Sequence, residues 1–104
     1  MAMKIINGKA ERIEASPEMR ESAAKNFMYF FEKGEPFSFG AFGTIFMIKL
    51  DSEEKPKKKH FKTAELAHTY EVLMQEAAKL ALEVGEAEFV SIGAFQSRVR
   101  PKKQ

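Results

Sequence analysis

The clearest apolar pattern in the chain lies in its second half and predicts a long amphipathic helix. Its apolar positions, separated alternately by four and three residues, are Leu66, Tyr70, Leu73, Ala77, Leu80 and Val84. This spacing places all of them on one side of a helix. Because Thr63 is a suitable N-cap and Gly85 a suitable stop, we expect the helix to run from Ala64 to Val84.

An earlier segment predicts another helix through its end signals. Ser16 can cap the first turn, Pro17 suits the first helical position, and Glu18 lies beside the positive helix end. The apolar positions that follow at helical spacing are Ala23, Ala24, Phe27, Met28 and Phe31. Gly34 then predicts the end of this helix.

The other apolar segments predict strands. In chain order they are Lys4 to Ala15 (a strand or small hairpin), Pro36 to Leu50, His60 to Lys62, and Ala87 to Val99. The second of these, rich in Phe, Ile and Thr, is expected to be one central strand, bent or bulged at Gly40 and Gly43. The segment from Asp51 to Lys59 contains no apolar residue and predicts a solvated connection.

These elements predict an α+β fold in the order strand, helix, strand, short strand, helix, strand. The two helix-strand halves of the chain are weakly similar in sequence. Phe37 to Phe42 (FSFGAF) resembles Val90 to Phe95 (VSIGAF), and each segment follows a predicted helix and a glycine. We therefore expect a ferredoxin-like split βαβ fold, β-α-β-β-α-β, with two helices packed on one face of a mainly antiparallel sheet. One domain over residues 1–100 and a basic tail over 101–104 complete the prediction.

Composition is typical of a small folded domain. A chain of 104 residues with 44% hydrophobic residues and ten Phe contains enough apolar material for a core. The absence of cysteine excludes disulfides, thiolate metal sites and a cysteine nucleophile, and agrees with a reducing compartment. Since no apolar stretch is long enough for a signal peptide or a membrane span, we expect a cytoplasmic protein with no membrane partner.

Charge is unevenly distributed although the net charge is only +2. From Thr63 to Phe95 there are six acidic residues and one basic residue, whereas Gln96 to Gln104 has four basic residues and none acidic. Because lysine and arginine clusters bind phosphates and release counterions, we expect a nucleic-acid partner bound mainly through phosphates. The expected contact residues are Lys57, Lys58, Lys59, Lys62, Arg98, Arg100 and Lys102.

Aromatic residues on the Phe-rich strand add a second feature. The side chains of Phe37, Phe39, Phe42 and Phe46 that face away from the helices could stack on bases. A lysine-rich loop is also typical of an ordinary solvated surface, and a run of Phe is typical of a core. Both interpretations are open at this point.

Two short segments resemble parts of nucleic-acid-binding families. Lys59 to Tyr70 (KHFKTAELAHTY) is similar to the junction of basic hairpin and helix in small DNA-binding domains such as the arm-binding domains of phage integrases. The strands lack the tryptophan and arginine pattern of those domains, so no contact residue follows. Gly40 to Gly43 matches the G-x-x-G loop of KH domains, but that loop joins helices, and a bulge is expected here.

The second helix suggests an alternative function. Its apolar stripe also matches a coiled-coil seam over three heptads. The chain would then be a protein-interaction or oligomerisation module, for example a homodimer, acting through this helix and a sheet edge without nucleic acid. A small-molecule-binding regulatory domain is a third class that the sequence leaves open.

Signals for catalysis and metal binding are weak. The chain has no G-x-S-x-G and no G-x-x-x-x-G-K motif, and Asp51 is its single aspartate. His60 and His68 have Glu65 and Glu71 nearby in sequence, but histidines beside acids on a surface are usually solvated. We therefore expect no enzyme, no cofactor and no metal site.

Overall fold

The computed structural model describes residues 15–92 and 96–102 of the chain. Their elements are α1 (Pro17–Phe31), β1 (Phe37–Phe42), β2 (Ile45–Leu50), β3 (Lys57–His60), α2 (Ala64–Glu83), β4 (Ala87–Ile92) and β5 (Ser97–Pro101). The five strands form one antiparallel sheet in the order β3-β2-β1-β5-β4. The predicted α+β class is confirmed.

Both helices begin where their capping residues predict. Ser16 Oγ accepts a hydrogen bond from the backbone N–H of Met19, and Thr63 Oγ1 accepts one from Leu66, each at 3.2 Å. Gly85 follows the end of α2 with a φ of 80°, a conformation that glycine adopts without steric penalty. The predicted ends of α2 agree with the observed ones to within one residue.

Two segments that the sequence predicts as single strands are hairpins. Pro36 to Leu50 folds as β1 and β2, which are joined by a turn containing Gly43 with a φ of 60°. The glycine therefore reverses the chain here and does not form the predicted bulge. Ala87 to Val99 likewise divides into β4 and β5, which pair antiparallel.

β3 also differs from the prediction. Residues 57–60 lie mostly in the expected solvated connection, yet they pair with β2, and only His60 belongs to the short strand that was predicted. The strand is exposed along its whole length and pairs on one side alone, because it is the edge of the sheet. Lysine is common at such edges because its charge opposes pairing with other chains.

The strand order is not that of a ferredoxin-like fold. In a split βαβ unit, two strands joined through a helix lie parallel with another strand between them. Here the strands joined by α2, β3 and β4, lie at opposite edges of the sheet with β2, β1 and β5 between them. The ferredoxin-like order is therefore not confirmed. The strand predicted between Lys4 and Ala15 lies, apart from Ala15, outside the described residues.

One hydrophobic core lies between the two helices and one face of the sheet. Phe27 packs edge-on against Phe37 with 5.7 Å between ring centroids, and Phe46 packs against Tyr70 at 4.8 Å. The large apolar side chains that are almost fully buried are Phe27, Phe30, Phe37, Phe39, Phe46, Tyr70, Met74 and Val99. Within the described residues, no element covers the opposite face of the sheet, which we call the open face.

The two helices lie side by side and point the same way. The hydroxyl of Tyr70 is 3.3 Å from that of Ser22, and Asn26 contacts Met74, so two successive turns of each helix meet in the same order. Toward the C-terminal end of α2, the buried side of the helix no longer coincides with the predicted apolar stripe. Leu80 and Val84 are 59% and 60% exposed.

β5 reaches further than predicted. Its last residue, Pro101, is buried opposite Ala87, and the backbone N–H of Lys102 donates to the carbonyl of Glu86 at 2.7 Å. The strand therefore extends into the segment expected to be a basic tail, whose last residues, 103–104, lie outside the described part of the chain.

Candidate nucleic-acid interface

The lysines of β3 give the sheet a basic edge with charge on both faces. Successive side chains of a strand point to opposite faces of its sheet. Lys57 and Lys59 are opposite buried residues of β2 in the strand register, so they lie on the helix side. Lys58 lies between them on the open face. A ligand that approaches this edge meets an ammonium group from either side.

On the helix side, both lysines lie over aromatic rings. Lys57 Nζ is 5.4 Å from the ring centroid of Tyr29. Lys59 Nζ is 5.8 Å from the ring centroid of Phe61 and 5.9 Å from that of Tyr70. Cation–π contacts attract an ammonium group without neutralising its charge. The rings therefore restrict where the two lysines lie and leave both of them positive.

A groove of about 550 Å³ lies between α1 and β3, and we call it the lysine groove. The buried rings of Phe30, Phe46 and Tyr70 form part of its lining. Lys25, Lys57, Lys58 and Lys59 also line it; Lys25 is paired with Glu21 at 2.8 Å, and the strand register places the Lys58 side chain on the open face. Every residue that lines it is among the described ones, and none carries a carboxylate. The groove is therefore suited to an anion.

The lysines at this edge have no carboxylate partner among residues 15–92 and 96–102. Lys57, Lys58 and Lys59 form no ion pair there, and neither does Lys62, which follows β3 in the exposed loop to α2. An ammonium group without a carboxylate neighbour keeps its positive potential for an external anion. Of the other predicted contact residues, Lys102 is also without an ion pair among the described residues, whereas Arg98 and Arg100 are paired.

The two arginines of β5 lie in a different electrostatic setting on the open face. Arg98 Nη2 is 2.5 Å from Asp51 Oδ2, and Arg100 Nε is 3.6 Å from Glu88 Oε2. Exposed pairs of this kind contribute little to the free energy of folding. Each carboxylate nevertheless lowers the positive potential that its arginine presents to a ligand.

The seven predicted contact residues do not form one continuous surface. Two strands, β2 and β1, separate the β3 lysines from the β5 arginines. Lys102 follows directly after β5 and is exposed. The structure therefore brings the β3 lysines and Lys62 together and places the other three predicted residues at a distance across the sheet.

Of the four aromatics on the Phe-rich segment, three belong to the core. Phe37, Phe39 and Phe46 are buried on the helix side of the sheet, so they do not meet the condition of facing away from the helices. Phe42 is 48% exposed, and strand alternation places it on the open face. Phe89 of β4 is 47% exposed and pairs in register with Arg100, which is also on the open face.

Tyr29 of α1 is an exposed aromatic that the sequence prediction missed. It lines the lysine groove and is 50% exposed. Lys33 Nζ lies 4.5 Å from its ring centroid, in addition to Lys57. A sequence signal exists, because Lys25, Tyr29 and Lys33 are spaced by four residues and therefore share one helix face.

A second groove, of about 370 Å³, lies between α1 and α2 and is mainly apolar. Met28, Leu80 and Val84 line it and are all substantially exposed. By contrast, Leu73 from the middle of the predicted stripe is buried in the core. A partner that binds the helices would therefore contact the end of the stripe and not its centre.

Glu71 is a buried carboxylate on α2. Its side chain is 4% exposed, and its Oε1 is 3.5 Å from His68 Nδ1. Within the described part of the chain, Oε2 has no hydrogen-bond partner. Burial raises the pKa of Glu71, while His68 and a backbone hydrogen bond from Ala41 act in the opposite direction. The group lies away from the lysine groove, whose lining does not include it.

The described residues contain no group of three or more His, Asp or Glu side chains placed to hold a metal ion. Neither α1 nor α2 is long and apolar enough to cross a membrane. No protein-family model, curated protein or solved structure matches this chain.

Proposed function

We propose that this protein binds nucleic acid mainly through phosphate contacts, without catalysing a reaction, and that the β3 edge makes the principal contacts. The observation that carries the proposal is a set of four exposed lysines with no ion-pair partner among the described residues: Lys57, Lys58, Lys59 and Lys62. Lysines that neutralise phosphates release counterions, which gives affinity without base recognition.

The geometry of an edge strand supports this proposal. Side chains on one face of a strand repeat every ~6.6 Å, so Lys57 and Lys59 have a spacing similar to that of successive phosphates in an extended strand. Lys58 contributes charge from the other face. A sugar-phosphate backbone that follows β3 can therefore contact several lysines together.

The β5 arginines and Lys102 have a secondary role in the proposal. Arg98 and Arg100 would have to exchange Asp51 and Glu88 for phosphate, which reduces the net gain from each contact. They add long-range attraction for a polyanion, and this attraction weakens as salt screens it.

The test is a fluorescence-anisotropy titration of labelled DNA and RNA, single- and double-stranded, at two salt concentrations. The double variant Lys58→Gln/Lys59→Gln removes one lysine from each face of β3. We expect its affinity at low salt to fall at least tenfold, and the slope of log K against log salt to decrease by about 1.5, as expected for two lost phosphate contacts.

The matched control is Arg20→Gln/Lys79→Gln, which removes the same charge from exposed positions of the helices. Its affinity should fall less than threefold, because these residues lie outside the β3 edge. Equal losses in the two variants would show that only net charge matters. Absence of binding by the unaltered protein at low salt would refute the proposal.

The exposed apolar groove supports a second candidate function, self-association through the helices. Met28, Leu80 and Val84 are 45%, 59% and 60% exposed, and large apolar side chains grouped on a surface often mark a protein contact. We propose a second copy of the chain as the partner in this alternative. The acidic character of α2 and the basic β3 edge would then favour complementary contacts between copies.

Leu80→Glu tests this alternative without disturbing the core, since its side chain is exposed. If the protein self-associates through this groove, the variant should have the monomer mass in sedimentation equilibrium at a concentration where the unaltered protein is dimeric. The exposed control Leu82→Glu should stay dimeric, because Leu82 does not line the groove. The alternative is excluded if the unaltered protein is monomeric at a concentration of about 100 μM, which is on the order of the dissociation constant of a weak dimer.

A further inference from the structure

We propose that the lysine groove holds one unpaired nucleotide of a single strand, with its base stacked on Tyr29 and its phosphates on Lys57 and Lys59. This inference rests on the proposed nucleic-acid binding and makes it more specific. It distinguishes a single strand, whose bases are free to enter a groove, from a duplex, whose bases are already stacked and paired.

The size and lining of the groove suit a nucleotide. Its volume of about 550 Å³ lies within the range of about 300–1,000 Å³ for small-ligand sites. Buried aromatic rings provide an apolar surface, and lysines lie along one side. A nucleotide has the same division between an apolar base face and an anionic phosphate.

Tyr29 is the ring best placed to stack on a base. It is half-exposed, lines the groove and has Lys33 and Lys57 within 5.4 Å of its ring centroid. An exposed cation–π contact is weaker than a base–aromatic stack, so a base can displace either ammonium group from the ring. The displaced lysine remains beside the phosphates of the same nucleotide.

Asn26 can recognise the edge of the base. It also lines the groove, one turn of α1 before Tyr29. Within the described residues, its side chain makes one hydrogen bond, a weak one from its nitrogen to Met74 Sδ at 4.0 Å. The amide therefore has an acceptor and a donor available for a base, which indicates a preference among bases and not only for phosphate.

The exposed aromatics of the open face are less suitable for stacking. Phe42 and Phe89 are exposed to a similar extent as Tyr29, but no ammonium group of the described residues lies over either ring. They also lie on the other side of the sheet from Lys57 and Lys59. These two residues are therefore matched controls for Tyr29.

The experiment compares three labelled ligands of equal length: a single strand of mixed bases, the same sugar-phosphate strand without bases, and a duplex. Each is titrated by anisotropy with the unaltered protein and with Tyr29→Leu, Tyr29→Phe, Phe42→Leu and Phe89→Leu. We expect the single strand with bases to bind about tenfold more tightly than the strand without bases, as one base–aromatic stack predicts.

Tyr29→Leu should remove that tenfold difference and leave binding of the base-free strand unchanged, whereas Tyr29→Phe should preserve it. Phe42→Leu and Phe89→Leu should have no effect. The inference is overturned if Tyr29→Leu binds the single strand normally, or if either control removes the difference, since the base would then lie on the open face. It is also overturned if the duplex binds as tightly as the single strand.

These outcomes separate this inference from the proposed function. Salt-dependent binding of every ligand, with no effect of bases or of Tyr29→Leu, would support phosphate contacts and reject the nucleotide site. Absence of binding to all three ligands at low salt would reject both. Circular dichroism must first show that the Tyr29 variants are folded, which we expect because the side chain is half-exposed.

Discussion

The lysines of β3 and the arginines of β5 carry the same charge, but they present a different positive potential to a ligand at the protein surface. The lysines lie at a sheet edge with no ion-pair partner among the described residues, and Lys57 and Lys59 lie over aromatic rings. Arg98 and Arg100 each have a carboxylate partner. The potential available to a ligand therefore depends on neighbours brought together by folding.

The largest effect is expected when the carboxylate partners of the two arginines are removed. Asp51→Asn/Glu88→Gln removes both carboxylate partners and leaves the guanidinium groups free. We expect nucleic-acid affinity at low salt to increase about fivefold, with a slope of log K against log salt that is steeper by about 1.5. Anisotropy titration with a labelled single strand measures both quantities.

The control for that gain is Glu18→Gln/Glu83→Gln, which changes net charge equally at exposed helix positions. It should increase affinity less than twofold. If the two variants gain affinity equally, Asp51 and Glu88 do not reduce the binding of phosphate by the arginines. The proposed difference between the lysines and the arginines would then be wrong.

A smaller effect is expected when the arginines themselves are removed. Arg98→Gln/Arg100→Gln should weaken binding only about twofold to threefold, because each arginine is already partly neutralised. The comparison is with Lys58→Gln/Lys59→Gln in the same titration. A loss as large as that of the lysine variant would mean that β5 is part of the main contact surface.

The smallest effect on binding is expected at Glu71, a carboxylate that belongs to neither group. Burial raises its pKa, so the folded state favours the protonated form. Its contribution to stability is therefore greatest below the ordinary glutamate pKa and is lost as pH rises through the raised value. Glu71→Gln should leave binding unchanged but increase the free energy of unfolding near pH 7 by on the order of 1 kcal/mol.

Urea unfolding at neutral and acidic pH checks this expectation. The stability gain of Glu71→Gln should disappear at a pH below the ordinary glutamate range, where Glu71 is protonated in both states. A gain that is the same at both pH values would show that the ionised carboxylate is not the cause.

Features fixed by neighbouring residues were predictable from the sequence. Thr63 caps α2 through a bond to the backbone three residues later, and Gly85 closes its last turn, so both ends follow from local patterns. The α+β class follows from the same patterns. The first hairpin was missed because its Phe- and Ile-rich flanks resemble a continuous strand, and only the positive φ at Gly43 shows the reversal.

Features that depend on distant pairing were not predictable. Lys57 to Lys59 have no apolar pattern and become a strand because β2 offers an edge for pairing. The partner of Arg98 lies 47 residues earlier in the chain, so the sequence could not show that this arginine is neutralised. For the candidate site, the sequence shows the cluster of basic residues near residue 58 but not the groove beside them.

The lining of the lysine groove also gives the protein an optical property. The chain has no tryptophan and two tyrosines, and both Tyr29 and Tyr70 line this groove. When tyrosine is excited selectively, all of the intrinsic fluorescence therefore comes from residues that line the groove. The unlabelled protein thus carries its own reporter of groove occupancy, with no background from elsewhere in the fold.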